Sequence, residues 1–334
     1  MKNPLVSVVC TSFNKEKWIA QAIESFLMQE TSFEFEILII DDASTDASSK
    51  IIRKFANENP KKIRFFENEK NLGIAKTWKK ICNKARGKYI ARCDGDDYWI
   101  KKDKLQKQVD LLESNKDSKW CNTEFQTENE QGEILFKKSF AEKFVKMPED
   151  FTEMLISKGF TNASTWLVNT ELMKEINNTL DTKTPDDTFD IQLELFVKTK
   201  LSTIEEPMVA YRFTTGSDSH PEDLSRIQER NQRLLQTQIK FLQKYQEKVN
   251  FLQAIKELLE KQTTLENYLA EKEISILERN KLLSDRQKFI DEQGLIIKHH
   301  ENNVKNLENN IEELENRKWF GLHKIIHKDS SKEK

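Results

Sequence analysis

Four short runs of β-branched and aromatic residues, Val6 to Cys10, Glu36 to Ile40, Ile63 to Phe66 and Tyr89 to Cys93, alternate with three amphipathic segments in the first hundred residues. Those segments place Ile19, Ala22, Ile23, Phe26 and Leu27, then Ile51, Ile52 and Phe55, then Ile74, Trp78, Ile81 and Ala85 mostly at three- and four-residue spacing. That is the period of a helix with one buried face. The order β-α-β-α-β-α-β predicts parallel strands in an α/β sheet. Ligands of such sheets bind beyond the carboxyl ends of the strands. Here those ends carry Thr11-Ser12-Phe13-Asn14, Asp41-Asp42-Ala43-Ser44 and Asp94-Gly95-Asp96-Asp97, so three polar clusters should meet on one rim.

The pattern is less regular from 104 to 221. It predicts a helix over Leu105 to Ser114, strands near Trp120 to Gln126 and Ile134 to Lys137, and a helix around Ile191 to Lys198, completing the same domain. All six prolines and six of the eight glycines lie in the first 221 residues, which hold 33 basic and 36 acidic side chains, enough chain for one sizeable core. The 113 residues that follow carry 21 basic and 20 acidic groups, and an apolar residue recurs every seven positions at Leu269, Ile276, Leu283, Ile290, Ile297, Val304 and Ile311. A coiled coil is expected there, with a weak second seam at Lys272, Arg279, Arg286, Gln293 and His300 and a break possible near Lys261 to Thr264 or at Gly294. The last stretch, 317–334, has six basic and two acidic residues, and Trp319, Leu322, Ile325 and Ile326 can share a helical face. That composition suits an anionic membrane surface or, equally, a solvated chain end.

A net charge of −2 argues against a sequence-independent nucleic-acid binder. No apolar run reaches the roughly 20 residues of a membrane span. Cys10, Cys82, Cys93 and Cys121 have no paired metal-ligand spacing, and the expected compartment is the cytoplasm, at or near the inner face of the cell membrane.

Asp94 and Asp96 stand two apart at a strand end, so their carboxylates point the same way, and Gly95 leaves the backbone open to a phosphate. Two hard oxygen ligands suit Mg²⁺ or Mn²⁺ held against a diphosphate; the plain alternative is a solvated acidic turn. Asp41 and Asp42 exceed what a helix cap requires, a task that Ser44 or Asp46 can perform.

The stretches Val6 to Lys15, Glu36 to Asp46, Asn71-Leu72-Gly73 and Ala85 to Trp99 resemble, in order and spacing, the inverting nucleotide-sugar glycosyltransferases of family 2, with the GT-A fold. The match covers about the first 110 residues and continues more weakly to Ser219. The resemblance implies that Thr11 and Phe13, with Asn14 beside them, hold the base, Phe13 standing where relatives often have Tyr. It implies that Asp42 accepts from a uracil or thymine imide, that Asp94 with Gly95 lies near the ribose, and that Asp96, with Asp94, binds the metal. The base that takes the acceptor proton falls in Pro185 to Asp190, with Asp187 preferred over Asp186, although Asp190 also reads as a helix cap. Thr214 replaces a His of many relatives, leaving the diphosphate to Arg212, to His220 or to no side chain of that loop. Trp166 falls on the acceptor side, where it is either a platform or core.

The resulting expectation is a GT-A domain over 1–221, its nucleotide-binding half about 1–103 and its acceptor half about 104–221, then a helical coiled-coil region over 222–316 and a basic tail over 317–334. It would be a metal-dependent inverting enzyme that passes a sugar from a UDP- or dTDP-type donor to a surface-glycan or lipid-linked acceptor. The coiled coil would set a homo-oligomer. The competing reading is a non-catalytic scaffold whose domain only binds nucleotide or glycan, against which Asp94, Asp96 and Asp187 together argue.

Overall fold

A computed structural model of the chain describes residues 3–182, 187–214 and 222–329, the side chains of Asp187 and 318–329 excepted. The alternating N-terminal pattern folds as β1 (Val6–Ser12), α1 (Ile19–Leu27), β2 (Phe35–Asp41), α2 (Ser48–Glu58), β3 (Ile63–Glu67), α3 (Ile74–Cys82) and β4 (Tyr89–Arg92). β1 pairs in parallel with β2 on one side and β4 on the other, and β2 pairs in parallel with β3. Alternate residues serve opposite faces. Val6, Val8, Cys10, Ile37 and Ile39 pack with Ile19, Ile23 and Phe26 of α1, while Val9, Leu38 and Ile40 pack with Trp78 and Ile81 of α3.

The chain continues through β5 (Tyr98–Trp99), α4 (Lys104–Ser114), β6 (Ser118–Glu128), β7 (Ile134–Phe136), α5 (Phe151–Ser157), β8 (Leu167–Asn169), α6 (Thr170–Thr179), α7 (Asp187–Lys198) and β9 (Lys200–Arg212). Among the described residues the strands make one mixed sheet in the order β3-β2-β1-β4-β8-β6-β9-β5, with β7 added to β6. The sequence pattern locates α4, β6, β7 and α7 but misses β5, β8 and β9. β5 and β8 are too short for a periodic signal, and β9 contains Pro207, which lies opposite Glu124 where the register with β6 shifts.

The chain divides into two compact units, residues 1–259 and 260–334. In the first, α8 (Leu224–Lys244), from the stretch the sequence assigns to the helical region beyond 221, packs on α5 and α7 through Leu234 and Phe241 against Phe151, Met154, Phe189 and Leu193. A last helix, α9 (Phe251–Asp329), runs without interruption through Lys261 to Thr264 and through Gly294. The seven heptad residues from Leu269 to Ile311 are each more than half exposed on it. No described helix is long and apolar enough to cross a membrane.

Lys104 is fully buried, its ammonium 4.3 Å from the Trp99 ring centre and donating to Gln108 Oε1 at 2.6 Å. Burial lowers its pKa from 10.5 to about 8. Between those values the unfolded chain keeps a proton that the folded protein has released, so this group's contribution to stability rises with pH across that window. At pH 7 the charged amine is carried at a cost on the order of 3 kcal/mol. Lys104→Met should raise urea-unfolding stability at pH 7 by about 1–2 kcal/mol, the lost Gln108 bond offsetting part of the gain. The difference should shrink towards pH 10; a pH-independent difference would refute the buried-charge account.

Candidate active site

Strand order reverses at β1, with β2 built on one side and β4 on the other, and a crevice opens at such a switch point beyond the carboxyl ends. It is a cavity of about 440 Å³ walled by Thr11, Phe13, Lys15, Asp42, Gly73, Asp94, Gly95, Asp96, Asp97, Tyr211, Arg212 and Thr214, among others. Phe13 is 42% exposed, an aromatic face left open at the wall.

The loop after β2 is organised by its acids. Asp41 accepts from the backbone N and hydroxyl of Ser44 at 2.8 and 2.6 Å, and burial raises its pKa. Asp42 is buried and accepts from Asn68 Nδ2 at 2.6 Å, Leu72 N at 2.9 Å and Gly73 N at 3.0 Å. Those three bonds use most of the roughly four acceptor positions of a carboxylate. Gly73, at φ +83°, lets the chain turn into α3 there, a left-handed conformation that a side chain would strain. Asp46 accepts from the backbone N of Ser48, the first residue of α2, at 2.9 Å.

The acidic loop after β4 is held from beneath. Asp94 Oδ1 accepts from Thr11 Oγ1 and from Arg92 Nε, each at 3.3 Å, and Arg92 is itself buried with its guanidinium 4.4 Å from the Trp78 ring centre. Asp96 is ion-paired with Lys15, whose pKa burial would lower but the Asp96 charge raises on balance. Asp97 is buried and accepts from Ser164 Oγ at 2.5 Å and Arg212 N at 2.8 Å, and Ser164 Oγ also accepts from Asp94 N at 3.1 Å. Burial, and then the charge of Asp96, pushes the Asp97 pKa well above the carboxylate range. Arg212 donates to the Asp96 carbonyl and to Gln21 Oε1, with Glu128 3.9 Å away.

The cavity therefore gathers Thr11, Phe13, Asp42, Asp94, Gly95, Asp96 and Arg212, but not two other expected residues. Asn14, at φ +54°, spends its side-chain oxygen on Thr45 N at 2.9 Å and so ties the loop after β1 to the loop after β2. Trp166 is core: it is fully buried, 5.7 Å from Trp120 in an edge-on pair, with Nε1 donating to Thr161 Oγ1. No exposed ring is left there for an acceptor. The space at Gly95 is filled from within the fold, since a Cβ would lie 3.1 Å from Ile19 Cδ1 and 3.2 Å from the Thr11 carbonyl. Asp186, His220 and the Asp187 side chain lie outside the described residues, although Asp187 opens α7.

The sequence reading gives no role to Lys15, Arg92 or Asp97, although Asp97 stands in the acidic cluster expected on the rim. Arg92 leaves a trace, a charge inside an otherwise apolar strand run, whereas Lys15 resembles any surface lysine. Among the described residues no three His, Cys, Asp or Glu side chains gather as a metal cluster. The donor set nevertheless fits a hard divalent ion: two carboxylates face an open cavity, and Asp96 already pairs with a cation.

A mixed sheet with this switch point, flanked by helices, is an α/β fold of the GT-A type. Residues 7–176 match the description of glycosyl transferase family 2, about half the chain, and the protein belongs to that family. It is 40% identical over 116 residues to an uncharacterized protein of Mycobacterium tuberculosis, a match covering 35% of this chain and 34% of that one. It is 32% identical over 177 residues to an uncharacterized glycosyltransferase of Methanocaldococcus jannaschii, covering 53% of this chain and 59% of the relative. The chain thus spans only about a third to three-fifths of these relatives. Among solved structures, S. aureus TarS 1–349 in complex with UDP-GlcNAc superposes with a TM-score of 0.50 at 20% identity, covering 64% of this chain and 60% of that one, which shows the shared fold.

Ser164 bridges the acidic loop to the rest of the domain. Ser164→Ala removes the bonds to Asp97 and to Asp94 N, leaving buried polar groups short of partners. It should cost about 1–3 kcal/mol of stability in chemical denaturation. A cost within a few tenths of a kcal/mol would show that the loop does not depend on this hydroxyl.

Proposed function

We propose that the protein is an inverting glycosyltransferase that moves one sugar from a UDP- or dTDP-type donor to a hydroxyl of a surface-glycan or lipid-linked acceptor. The observation that carries this reading is the shared cavity of Phe13, Asp42, Asp94, Asp96 and Arg212 at the switch point. Phe13 offers a face for the base, and Asp42, with three internal bonds made, has an acceptor position left for an imide N–H. Thr11 and Arg92 hold the Asp94 carboxylate in place, and Asp94 would meet the ribose. Asp96, with Asp94, would hold Mg²⁺ or Mn²⁺, which when bound supplies positive charge to the departing diphosphate. Arg212, on the same wall, adds a fixed cation.

Inversion requires attack on the anomeric carbon from the face opposite the diphosphate, with the acceptor hydroxyl proton passing to a carboxylate. Asp187 is proposed as that base, with Asp186 its alternative in register. Such a base is worth about 10²- to 10⁴-fold in rate. Asp187→Asn should leave nucleotide binding within about twofold while lowering transfer by that factor. Asp96→Asn should instead weaken metal-dependent nucleotide binding by at least about tenfold in calorimetry. Full transfer by the first variant would move the base to Asp186, and unchanged metal dependence in the second would reject the metal assignment.

The helical region supports assembly into a homo-oligomer. Leu269, Ile276, Leu283, Ile290, Ile297, Val304 and Ile311 form one exposed stripe, which a coiled coil with a second copy would bury. The basic stretch 317–334 is proposed to contact an anionic membrane surface, bringing the site near a lipid-linked acceptor. Leu283→Asp with Ile290→Asp should lower the mass measured by light scattering to that of the monomer, and an unchanged mass would remove the coiled coil from the assembly.

A further inference from the structure

The apolar stripe of α9 lies in the second compact unit, residues 260–334. In three successive heptads the position three residues after a stripe residue, which shares its helical face, holds a cation: Lys272, Arg279 and Arg286. All three are exposed. Their own helix gives them no acid at the three- and four-residue spacing where side chains meet. Around Arg279 those places hold Ser275, Ile276, Leu282 and Leu283, and around Arg286 they hold Leu282, Leu283, Phe289 and Ile290. Lys272 instead places its ammonium 5.0 Å from the Tyr268 ring centre. Further along, the seam changes character. Leu307 and Leu314 take the cations' places, and the exposed acids Glu301 and Glu308 border them, with Lys298 and Lys305 in reach on the same helix.

From this arrangement we infer that α9 pairs with α9 of a second copy running in the opposite direction, the cation-bearing part of each beside the acid-bordered part of the other. The inference rests on the homo-oligomer reading and gives that assembly its orientation. In a parallel, in-register pair every seam position faces itself. Lys272, Arg279 and Arg286 would then meet their own copies in three consecutive layers, and the seam's edges beside the two arginines offer Asn280, Leu282 and Gln287, none of them an acid. Like charges so juxtaposed oppose association. Reversing one helix exchanges the two seam positions. In the register that pairs all seven stripe residues, Leu269 faces Leu314, Ile276 faces Leu307, and the three cations face Ile311, Val304 and Ile297 of the second copy. Arg279 then lies level with Val304, with Glu301 and Glu308 of that copy about one turn away on either side. Its stem can cover the valine while its guanidinium reaches the acids.

The test is made on the full chain, whose four cysteines are all buried, so that a thiol introduced on α9 is the one a short bis-maleimide reaches. Leu269→Cys and Leu314→Cys are prepared separately and then mixed. The mixture should give a cross-linked dimer and neither variant alone should, because the two copies of residue 269 in the antiparallel pair are on the order of 65 Å apart at about 1.5 Å per residue. Arg279→Glu should weaken association at least about tenfold in sedimentation equilibrium, and adding Glu308→Arg should recover most of the loss. Residues 279 and 308 never meet in a parallel, in-register pair, which would show no recovery. Cross-linking of Leu269→Cys alone, no cross-linking of the mixture, unchanged association of Arg279→Glu, or no recovery with Glu308→Arg would each overturn the antiparallel pairing and leave the oligomer standing. A monomeric mass for the unmodified protein in light scattering would overturn the homo-oligomer reading itself, and this inference with it.

Discussion

The buried carboxylate of Asp97 is the constraint on which the site depends. It takes one bond from Ser164, in the short 3-10 helix before β8, and one from the backbone of Arg212 at the end of β9. Two segments, 67 and 115 residues further along the chain, are thereby fixed to one side chain. The adjoining Trp99 adds a second tie, its backbone N donating to Ser25 Oγ and its indole to the Ser164 carbonyl. A buried acid costs free energy unless it is satisfied, so the loop has few alternative conformations. Asp94 and Asp96 can then face an open cavity without collapsing onto it.

The charge of the site follows the same logic. Acids this close repel one another, and each half-buried one has been given a cation: Arg92 for Asp94 and Lys15 for Asp96. Arg92 lies in the sheet and is wedged against Trp78, so it positions Asp94 rather than meeting a ligand. Lys15 is different, because it lies on the cavity wall and its partner is the residue proposed to hold the metal. Lys15 and any cation held by Asp96 would share one carboxylate.

Much of the fold was legible because α/β alternation writes two periods into the sequence, and runs such as Ile37 to Ile40 are too short for a helix and suit a strand buried on both faces. Of the expected sites in the cavity, the acids Asp42, Asp94 and Asp96 were legible from residue type alone, while Thr11, Phe13 and Arg212 came only through the family resemblance. Positions satisfied internally misled. Asn14 sits beside the cavity loop in sequence, yet its left-handed backbone turns the amide towards Thr45. Trp166 could not be assigned because an aromatic residue reads alike as platform and as core. Asp97 was hidden in a run of acids, of which only the three-dimensional ladder to β9 decides which one points inward.

The two long helical segments after residue 221 look alike in sequence but solve different problems. α8 buries Leu234 and Phe241, and its polar face reaches the domain through Lys244 to Glu194, Thr237 to Asp190 and Gln238 to the Leu155 carbonyl. It thereby fixes the outer side of α7, so the helix that Asp187 begins is braced by a segment outside the family match. The heptad stretch of α9 has no such inward face: all seven apolar positions are solvent-exposed. Burying one such side chain is worth about 1.5–3 kcal/mol, and isolated helices gain little from propensity alone. A stripe of seven is therefore the part of this chain with most to gain from a second copy. α8, already committed to α5 and α7 through Leu234 and Phe241, has less.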